Sequence, residues 1–501
     1  MSYAALEAHH RKLSQLRHTE AIVAWDEAAL MPAGGGEARA EALATLRGLI
    51  HECATDARLG DWFATADAKR GELDGWQAAN LREMRREWTR SNAIPQELVE
   101  AASRAESKSE QAWRSLRSKN DWQSFLPYLR EVGSLKRRTA EVLSERLGLG
   151  LYDALLDGFE PGAKSEQFAP LFARLREFLP GFIQAVLERQ KSERVVTPEG
   201  PFAVEAQKAL GMELMKRVGF DFNHGRLDTS HHPFCGGVPQ DVRITTRYDA
   251  ADFQKSLMGV LHETGHAKYE QNLPREWVTQ PVGTARGMSI HESQSLLLEM
   301  QVCRSRAFLG FAAPLIAAAF PEASARAPEA FAADNLFRLA TRVVPSYIRV
   351  DADEATYPCH VVLRFEIEKP LVEGKLEVEG IPEAWDAKMR ELLGISTAGN
   401  FRDGCMQDVH WPAGLFGYFP TYTLGALTAA QLFRAARKAI GDLPARIEAG
   451  EFAPLDAWLR ENVWGQGSLL DTNTLLQRAT GSVLDTRAFE AHLKERYLEQ
   501  A

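Results

Sequence analysis

His262, Glu263 and His266 form the pattern His-Glu-x-x-His, whose residue types and spacing could hold a metal ion and move a proton. On a helix, residues four positions apart lie on one face, so the two imidazoles can reach a single point. Neutral imidazole nitrogens suit a tetrahedral zinc ion. Glu263 points away from that ion and can take a proton from an attacking water. The pattern predicts a hydrolytic zinc site; the alternative is a helix with two surface histidines and a solvated glutamate.

The residues around this pattern favour a helix. Leu257, Val260 and Leu261 precede the first histidine and give that turn an apolar face, which would hold the helix rigidly once buried. Gly265 is a poor helix former and costs about 1 kcal/mol relative to alanine. We expect that a small residue stands here because another backbone or the substrate comes close.

A catalytic zinc ion usually has three protein ligands and one open position. The extended metzincin pattern is excluded, because Tyr269 and Asn272 stand where it needs glycine and histidine. Glu292 is the strongest remaining candidate and lies 26 residues after His266 (292 − 266), beyond a segment broken by prolines and glycines. It opens a second predicted helix together with Ser289.

That position leaves two interpretations of Glu292 open. It can be the third metal ligand, or Ser289 can be the N-cap of the helix with Glu292 as its capping-box partner. Glu270 and Glu299 are weaker ligand candidates. The residues alone do not choose between these possibilities.

Further motifs precede and follow the zinc pattern over residues 25–425. Besides His-Glu-Ser-Gln at 291–294, they are Trp-Asp at 25–26, His-Pro-Phe at 232–234, Asp-x-Arg-x-Thr at 241–245, Ile-Arg-x-x-Ala-Asp at 348–353 and Gly-x-x-Gln-Asp-x-His-Trp at 404–411. In this order they resemble the thermostable carboxypeptidase (Taq type) family of zinc metallopeptidases. The resemblance implies that His262, His266 and Glu292 hold Zn²⁺, with Co²⁺ possible, and that Glu263 is the general base.

A carboxypeptidase needs a cation for the free carboxylate of its substrate. Arginine suits this role, because its guanidinium group meets a carboxylate in a two-bond fork that lysine cannot form. Arg349 and Arg243 both lie in matching motifs, as does His232, and we predict all three as substrate-binding residues. The alternatives are a pair between Arg349 and Asp353 on one helix face, and a surface pair between Arg243 and Asp241.

His410 and Tyr422 are candidates for stabilising the oxyanion that forms during peptide hydrolysis. The histidine closes the Gly-x-x-Gln-Asp-x-His-Trp motif, and the tyrosine follows twelve residues later (422 − 410). Alternatively, the histidine only orders its loop and the tyrosine only packs. For the neighbouring Tyr418 we expect packing.

Composition narrows the class of protein further. The 501 residues carry a net charge of −9, which argues against nucleic acid as a partner. The longest apolar run, 307–320, contains Pro314 and is shorter than a membrane helix, and the N-terminal residues have no apolar signal core. The five cysteines are scattered and form no disulfide framework or Cys-x-x-Cys site. These features predict a cytoplasmic protein that binds neither nucleic acid nor membrane.

Helical periodicity dominates the chain. It predicts helices over 1–18, 37–54, 98–119, 125–147 and 168–190, the last of which Pro180 could split, and helices again over 427–500. Short extended runs at 226–230 and 242–246 predict a small sheet near the zinc helix, with an edge strand that could pair with a peptide. We treat 1–501 as a single peptidase unit with a helical scaffold half (1–220), a catalytic region (221–425) and C-terminal helices (426–501).

The resemblance implies a mainly α fold: a large helical body with a deep active-site groove and a small β-sheet beside the zinc, similar to neurolysin and angiotensin-converting enzyme. It also implies a homodimer. We predict a zinc-dependent metallocarboxypeptidase that removes C-terminal residues from peptides with broad specificity. The alternatives are an oligopeptidase or dipeptidase of the same chemistry, or a non-catalytic helical scaffold with structural zinc. Structural zinc sites usually have four protein ligands, and no fourth is evident here.

Overall fold

The computed structural model describes residues 2–230 and 233–499, which fold into a mainly helical body with three short strands. Nine α-helices precede the sheet: α1 (Ser2–Ala29), α2 (Gly36–Ala54), α3 (Arg58–Ala68), α4 (Gly75–Ser91), α5 (Gln96–Ser118), α6 (Trp122–Leu147), α7 (Leu151–Leu156), α8 (Ser165–Gln190) and α9 (Val204–Arg217). The strands are β1 (Gly225–Thr229), β2 (Phe234–Val238) and β3 (Asp241–Thr246).

Twelve further α-helices follow among the described residues: α10 (Phe253–Gln271), α11 (Met288–Leu296), α12 (Arg306–Ala319), α13 (Pro321–Arg326), α14 (Ala333–Ala340), α15 (Tyr357–Val372), α16 (Ile381–Leu393), α17 (Pro420–Ile440), α18 (Leu443–Glu448), α19 (Ala453–Asn462), α20 (Thr472–Thr480) and α21 (Arg487–Lys494). Two π-helical segments, Leu297–Cys303 and Glu495–Glu499, continue α11 and α21. The predicted class, mainly α with a small sheet, is confirmed.

Two helices differ from the sequence prediction. The first continues to Ala29 instead of ending near residue 18, because Trp25 is buried at 2% exposure and packs with the guanidinium group of Arg243 on the sheet. Helix α8 runs unbroken through Pro180. A proline removes one helical hydrogen bond, but Leu179 and Phe182 on either side are buried in the core, and this packing holds the helix together.

The predicted small sheet is present with the strand order β1-β3-β2. Strand β3 pairs parallel to β1 and antiparallel to β2. Its inward residues Val242 and Ile244 are fully buried and pack with Val260 and Ala267 of α10. One face of the sheet therefore supports the helix that carries the His-Glu-x-x-His pattern.

The interior consists of two large apolar clusters. One joins α5, α6, α8, α15 and α16, and the other joins α9 to α12, α14 and α18 to α20. Helix α17 contributes to both, through Leu427 on one side and Leu432 on the other. Each cluster combines residues from more than one of the three predicted segments, and the division into those segments stays a prediction.

All five cysteines are free thiols. Within residues 2–230 and 233–499, no single helix has the length and apolarity to cross a membrane; the pair Pro281–Cys303 and Arg306–Ala319 meets that criterion only when joined across a 77° bend.

Candidate metal centre

The structure brings together the three predicted metal ligands. His262 and His266 lie one turn apart on α10, Glu292 lies on α11, and one ligand atom of each is within 4.8 Å of the others. His266 Nε2 is 3.4 Å from Glu292 Oε2. Two imidazoles and one carboxylate that converge in this way form the donor set of a catalytic divalent-metal site.

Helices α10 and α11 approach each other closely at Gly265. A Cβ atom built there would lie 2.4 Å from the Gln294 carbonyl oxygen and 2.6 Å from Ser295 Cα. Of the two reasons expected for a small residue, the structure shows the first: another backbone fills the space. This contact sets the separation between the two helices that carry the candidate ligands.

The start of α11 differs from the capping-box interpretation. The N-cap is Gly287, and Ser289 lies inside the helix with its backbone N–H donating to Glu160 Oε2 at 2.9 Å. Glu292 therefore caps nothing, and its side chain is directed to His266. A carboxylate from a distant loop binds the helix terminus, as the positive end of the helix dipole favours.

His262 is oriented by a carboxylate. Its Nδ1 is 2.9 Å from Glu299 Oε2, and Arg304 donates to the other oxygen of Glu299 at 2.7 Å. Burial raises the pKa of Glu299, but Arg304 and His262 outweigh it and lower that pKa to about 2. Because Nδ1 is occupied, Nε2 of His262 is the nitrogen left for a metal ion.

His266 is oriented by a second imidazole. Its Nδ1 is 2.6 Å from Nδ1 of His291, and Nε2 of His291 is 2.8 Å from Glu270 Oε1. The two weaker ligand candidates are thus hydrogen-bond partners of histidines: Glu299 contacts His262 directly, and Glu270 contacts His291.

Glu263 is buried beside the cluster, with 8% of its surface exposed. Burial raises its pKa to about 7; His262 opposes this shift and Glu292 adds to it. A carboxyl group whose pKa lies near neutrality can both accept and return a proton, which is what a general base and acid must do.

Arg349 is buried and lies in the short 3₁₀ turn Arg349–Asp351. Its Nη2 donates to Asp408 Oδ1 at 3.0 Å and its Nη1 to the Tyr357 hydroxyl at 2.8 Å. The alternative pairing with Asp353 is wrong, because Asp353 instead accepts backbone hydrogen bonds from its own loop.

Asp408 is shared by two arginines. Arg364, which is fully buried on α15, donates to it through Nε at 2.8 Å. Arg364 and Arg349 outweigh burial and hold the pKa of Asp408 far below its usual range. Two cations around one anion leave a net positive charge, which suits the binding of a substrate carboxylate at Arg349.

His410 and Tyr422 lie together near Arg349. His410 Nε2 is 3.1 Å from the Tyr422 hydroxyl, and the Tyr422 ring is 4.8 Å from Arg349 Cζ. Burial lowers the pKa of His410 to about 3 and raises that of Tyr422 to about 12, so the imidazole is neutral and the phenol keeps its proton. Tyr418 packs edge-on against Phe159, but it also makes a side-chain hydrogen bond with Tyr422, so packing is not its whole role.

The structure says less about the substrate-binding role of the other two predicted residues, Arg243 and His232. Arg243 donates to Asp241 at 2.7 Å and lies over the Trp25 ring at 4.5 Å, so the alternative ion pair with Asp241 is present. His232 falls outside the described residues.

Several residues of the site were not expected from the sequence. Asp408 stands inside a recognised motif, so the sequence did single out this residue. Its contact with Arg349 could not be predicted, because the two residues are 59 positions apart in the chain. His291 also stands inside a recognised motif, His-Glu-Ser-Gln at 291–294. Tyr357 and Arg364 carried no spacing that pointed to their contacts, because these contacts join separate helices and loops.

This chain is similar to known proteins over almost its entire length. The pattern of the carboxypeptidase Taq (M32) metallopeptidase family matches residues 5–497. Thermostable carboxypeptidase 1 of Thermus thermophilus is 40% identical over 99% of this chain and 98% of its own length. Metallocarboxypeptidase 1 of Trypanosoma cruzi superposes with a TM-score of 0.97 at 43% identity, covering 99% of both chains. The M32 carboxypeptidase of Deinococcus radiodurans does so at 0.93 and 35%, covering 99% of this chain and 98% of its own. The chain belongs to the carboxypeptidase Taq (M32) family of metallopeptidases.

Proposed function

We propose that this metallocarboxypeptidase binds Zn²⁺ through His262, His266 and Glu292 and removes residues from the C-terminus of peptides with broad specificity. The observation that carries the proposal is the convergence of these three donors beside the buried carboxyl group of Glu263. The second ring nitrogen of each histidine already has a partner, so each offers one defined nitrogen. This donor set fits zinc, with Co²⁺ as the alternative ion.

Hydrolysis requires a base, a proton donor and a group that stabilises negative charge. When bound, the ion would act as a Lewis acid that polarises the scissile carbonyl and makes water easier to deprotonate. Glu263 accepts the proton of the attacking water and then passes it to the leaving amine. The Tyr422 hydroxyl, held by His410, donates to the developing oxyanion.

Removal of C-terminal residues requires a group that recognises the free carboxylate. We assign this role to Arg349, because Asp408, Tyr357 and the Gln407 side chain fix its position. A fixed guanidinium group near the oxyanion donors would position the last peptide bond at the metal centre and disfavour binding of internal segments. Arg243 stays the alternative for this role, and His232 a further candidate for substrate binding.

A pair of digests tests the proposal. One peptide has a free C-terminus and the other an amidated one, and each is incubated with metal-loaded wild type and Glu263→Gln and followed by mass spectrometry. We expect a ladder of C-terminal losses from the free peptide alone, and a loss of rate of about 10²–10⁴-fold in the variant, as for other general bases. Equal internal cleavage of both peptides would contradict the role of Arg349.

Assembly and location complete the proposal. The family resemblance supports a homodimer, and the cytoplasm is the proposed location. Light scattering of the purified protein tests the first, and cell fractionation tests the second.

A further inference from the structure

His291 connects the two helices that carry the candidate metal ligands. It precedes Glu292 on α11, but both of its ring nitrogens contact residues of α10. Nδ1 is 2.6 Å from His266 and Nε2 is 2.8 Å from Glu270, one turn further along. The Tyr269 ring lies 5.4 Å from the His291 ring and restricts its movement. His291 thus bridges one turn of α10.

Only one placement of protons satisfies this chain when His266 binds a metal ion through Nε2. The proton of the neutral His266 ring must then be on Nδ1, which donates to Nδ1 of His291. His291 must therefore carry its own proton on Nε2, which donates to Glu270. The opposite tautomer of His291 would place two N–H groups against each other at 2.6 Å.

The two metal-binding histidines are thus supported differently. His262 contacts a carboxylate directly, and that carboxylate is itself held by Arg304. His266 contacts a neutral ring, and a carboxylate acts on it only through that ring. Because the intermediate ring belongs to α11, the orientation of His266 depends on the packing of α11 as well as on its own helix.

We propose that His291 and Glu270 are positioning residues, which hold His266 in its Nδ1-protonated tautomer and join α10 to α11 so that His266 and Glu292 converge on one metal ion. The inference rests on the proposed ligand set. Hydrogen-bond partners behind a metal-binding histidine typically contribute 10–100-fold to metal affinity, and the same range is expected here.

Zinc affinity of the metal-free full-length protein measures this role. It is determined by competition with a fluorescent chelator, and the thermal midpoint of each metal-free variant is recorded beside it. His291→Leu removes both contacts, and we expect affinity to fall 10–100-fold. His291→Asn keeps an amide oxygen where Nδ1 stands, and we expect it to recover most of that loss.

Glu270→Gln tests the role of the carboxylate that contacts Nε2 of His291. An amide can accept from or donate to Nε2 of His291, so it no longer selects one tautomer, and we expect affinity to fall several-fold. Glu276→Gln is the matched control, since this exposed carboxylate lies shortly beyond α10, and its affinity is expected to equal that of wild type.

Two further variants separate this inference from the proposed function. His266→Gln and Glu292→Gln remove ligands; if neither weakens zinc binding, the ligand set itself is wrong. If both weaken it while His291→Leu binds zinc as wild type does, only the positioning role is refuted. Equal losses in the leucine and asparagine variants would refute the acceptor role of His291. If His291→Leu does not fold, Glu270→Gln decides, and an unchanged affinity there overturns the inference.

Discussion

Replacing Gly265 by alanine would separate the two helices that carry the candidate metal ligands. The added Cβ would meet the Gln294 carbonyl oxygen at 2.4 Å, Ser295 Cα at 2.6 Å and the Gln294 carbonyl carbon at 2.9 Å. All three atoms belong to the backbone of α11, so no side chain can rotate away. The helices must move apart to accept the methyl group.

The expected change in the free energy of unfolding follows from the size of that overlap. Carbon atoms pack favourably at about 3.5–4.0 Å, so the overlap requires a shift of about 1 Å. Alanine normally stabilises a helix by about 1 kcal/mol relative to glycine, but overpacking of a tight contact costs about 1–3 kcal/mol. We expect Gly265→Ala to lower the free energy of unfolding by up to about 2 kcal/mol.

The effect on metal binding is expected to be larger than the effect on stability. His266 follows Gly265 directly, and Glu292 precedes Gln294 by two residues (294 − 292). A shift of about 1 Å between α10 and α11 far exceeds the tolerance of about 0.2 Å for metal–ligand distances. Zinc affinity is therefore expected to fall at least as far as when an orienting partner is lost, about 10–100-fold.

Gly259→Ala is the matched control, because it changes the same residue type on the same helix and its Cβ would have no atom within 4 Å beyond the neighbouring backbone of its own helix. Chemical denaturation and chelator competition are measured for both variants. We expect Gly259→Ala to gain up to about 1 kcal/mol and to keep its zinc affinity. If Gly265→Ala behaves in the same way, the helix contact does not set the ligand geometry and the reasoning is refuted.

Three other predictions follow from buried charges. Arg349→Lys is expected to lower kcat/KM for peptides with a free C-terminus about 10–100-fold, because lysine cannot form the two-bond fork with a carboxylate. Arg243→Lys is expected to change kcat/KM little. A larger loss in Arg243→Lys than in Arg349→Lys, measured in peptide assays, would assign the substrate carboxylate to Arg243 instead. Burial raises the pKa of Glu368 from 4.5 to about 7, so the folded state keeps a proton that the unfolded chain loses, and stability falls as pH rises through that interval. Wild type is thus expected to lose about 3 kcal/mol relative to Glu368→Gln between pH 4.5 and 7, as measured by denaturation; a constant difference would contradict this. Arg496→Met is expected to cost about 3 kcal/mol in unfolding free energy, the lower end for a broken buried ion pair, because it removes the guanidinium group 2.9 Å from the buried Glu354 carboxylate but leaves the hydrogen bonds of that carboxylate with His492 and Tyr497. A cost below about 1 kcal/mol in denaturation would contradict it.

Local patterns in the sequence predicted most of the secondary structure, including the helix that carries the His-Glu-x-x-His pattern. The apolar spacing before His262 predicted α10 because helix periodicity depends on neighbours only a few positions apart. The same reasoning predicted the small sheet. It was wrong about the first helix, whose last turns are held by Trp25 against the distant Arg243, and about Ser289, whose N–H is bound by Glu160 from another loop.

The sequence by itself determined which residues can do chemistry: two imidazoles one turn apart, a carboxyl group beside them, and a family of motifs in a recognisable order. Only the tertiary structure decided how they are held. Asp408 fixes Arg349, Glu299 orients His262, and His291 joins His266 to Glu270, each across 21 to 59 residues. Spacing along the chain cannot predict such contacts, because they depend on how helices pack, and here a single close approach at Gly265 sets that packing.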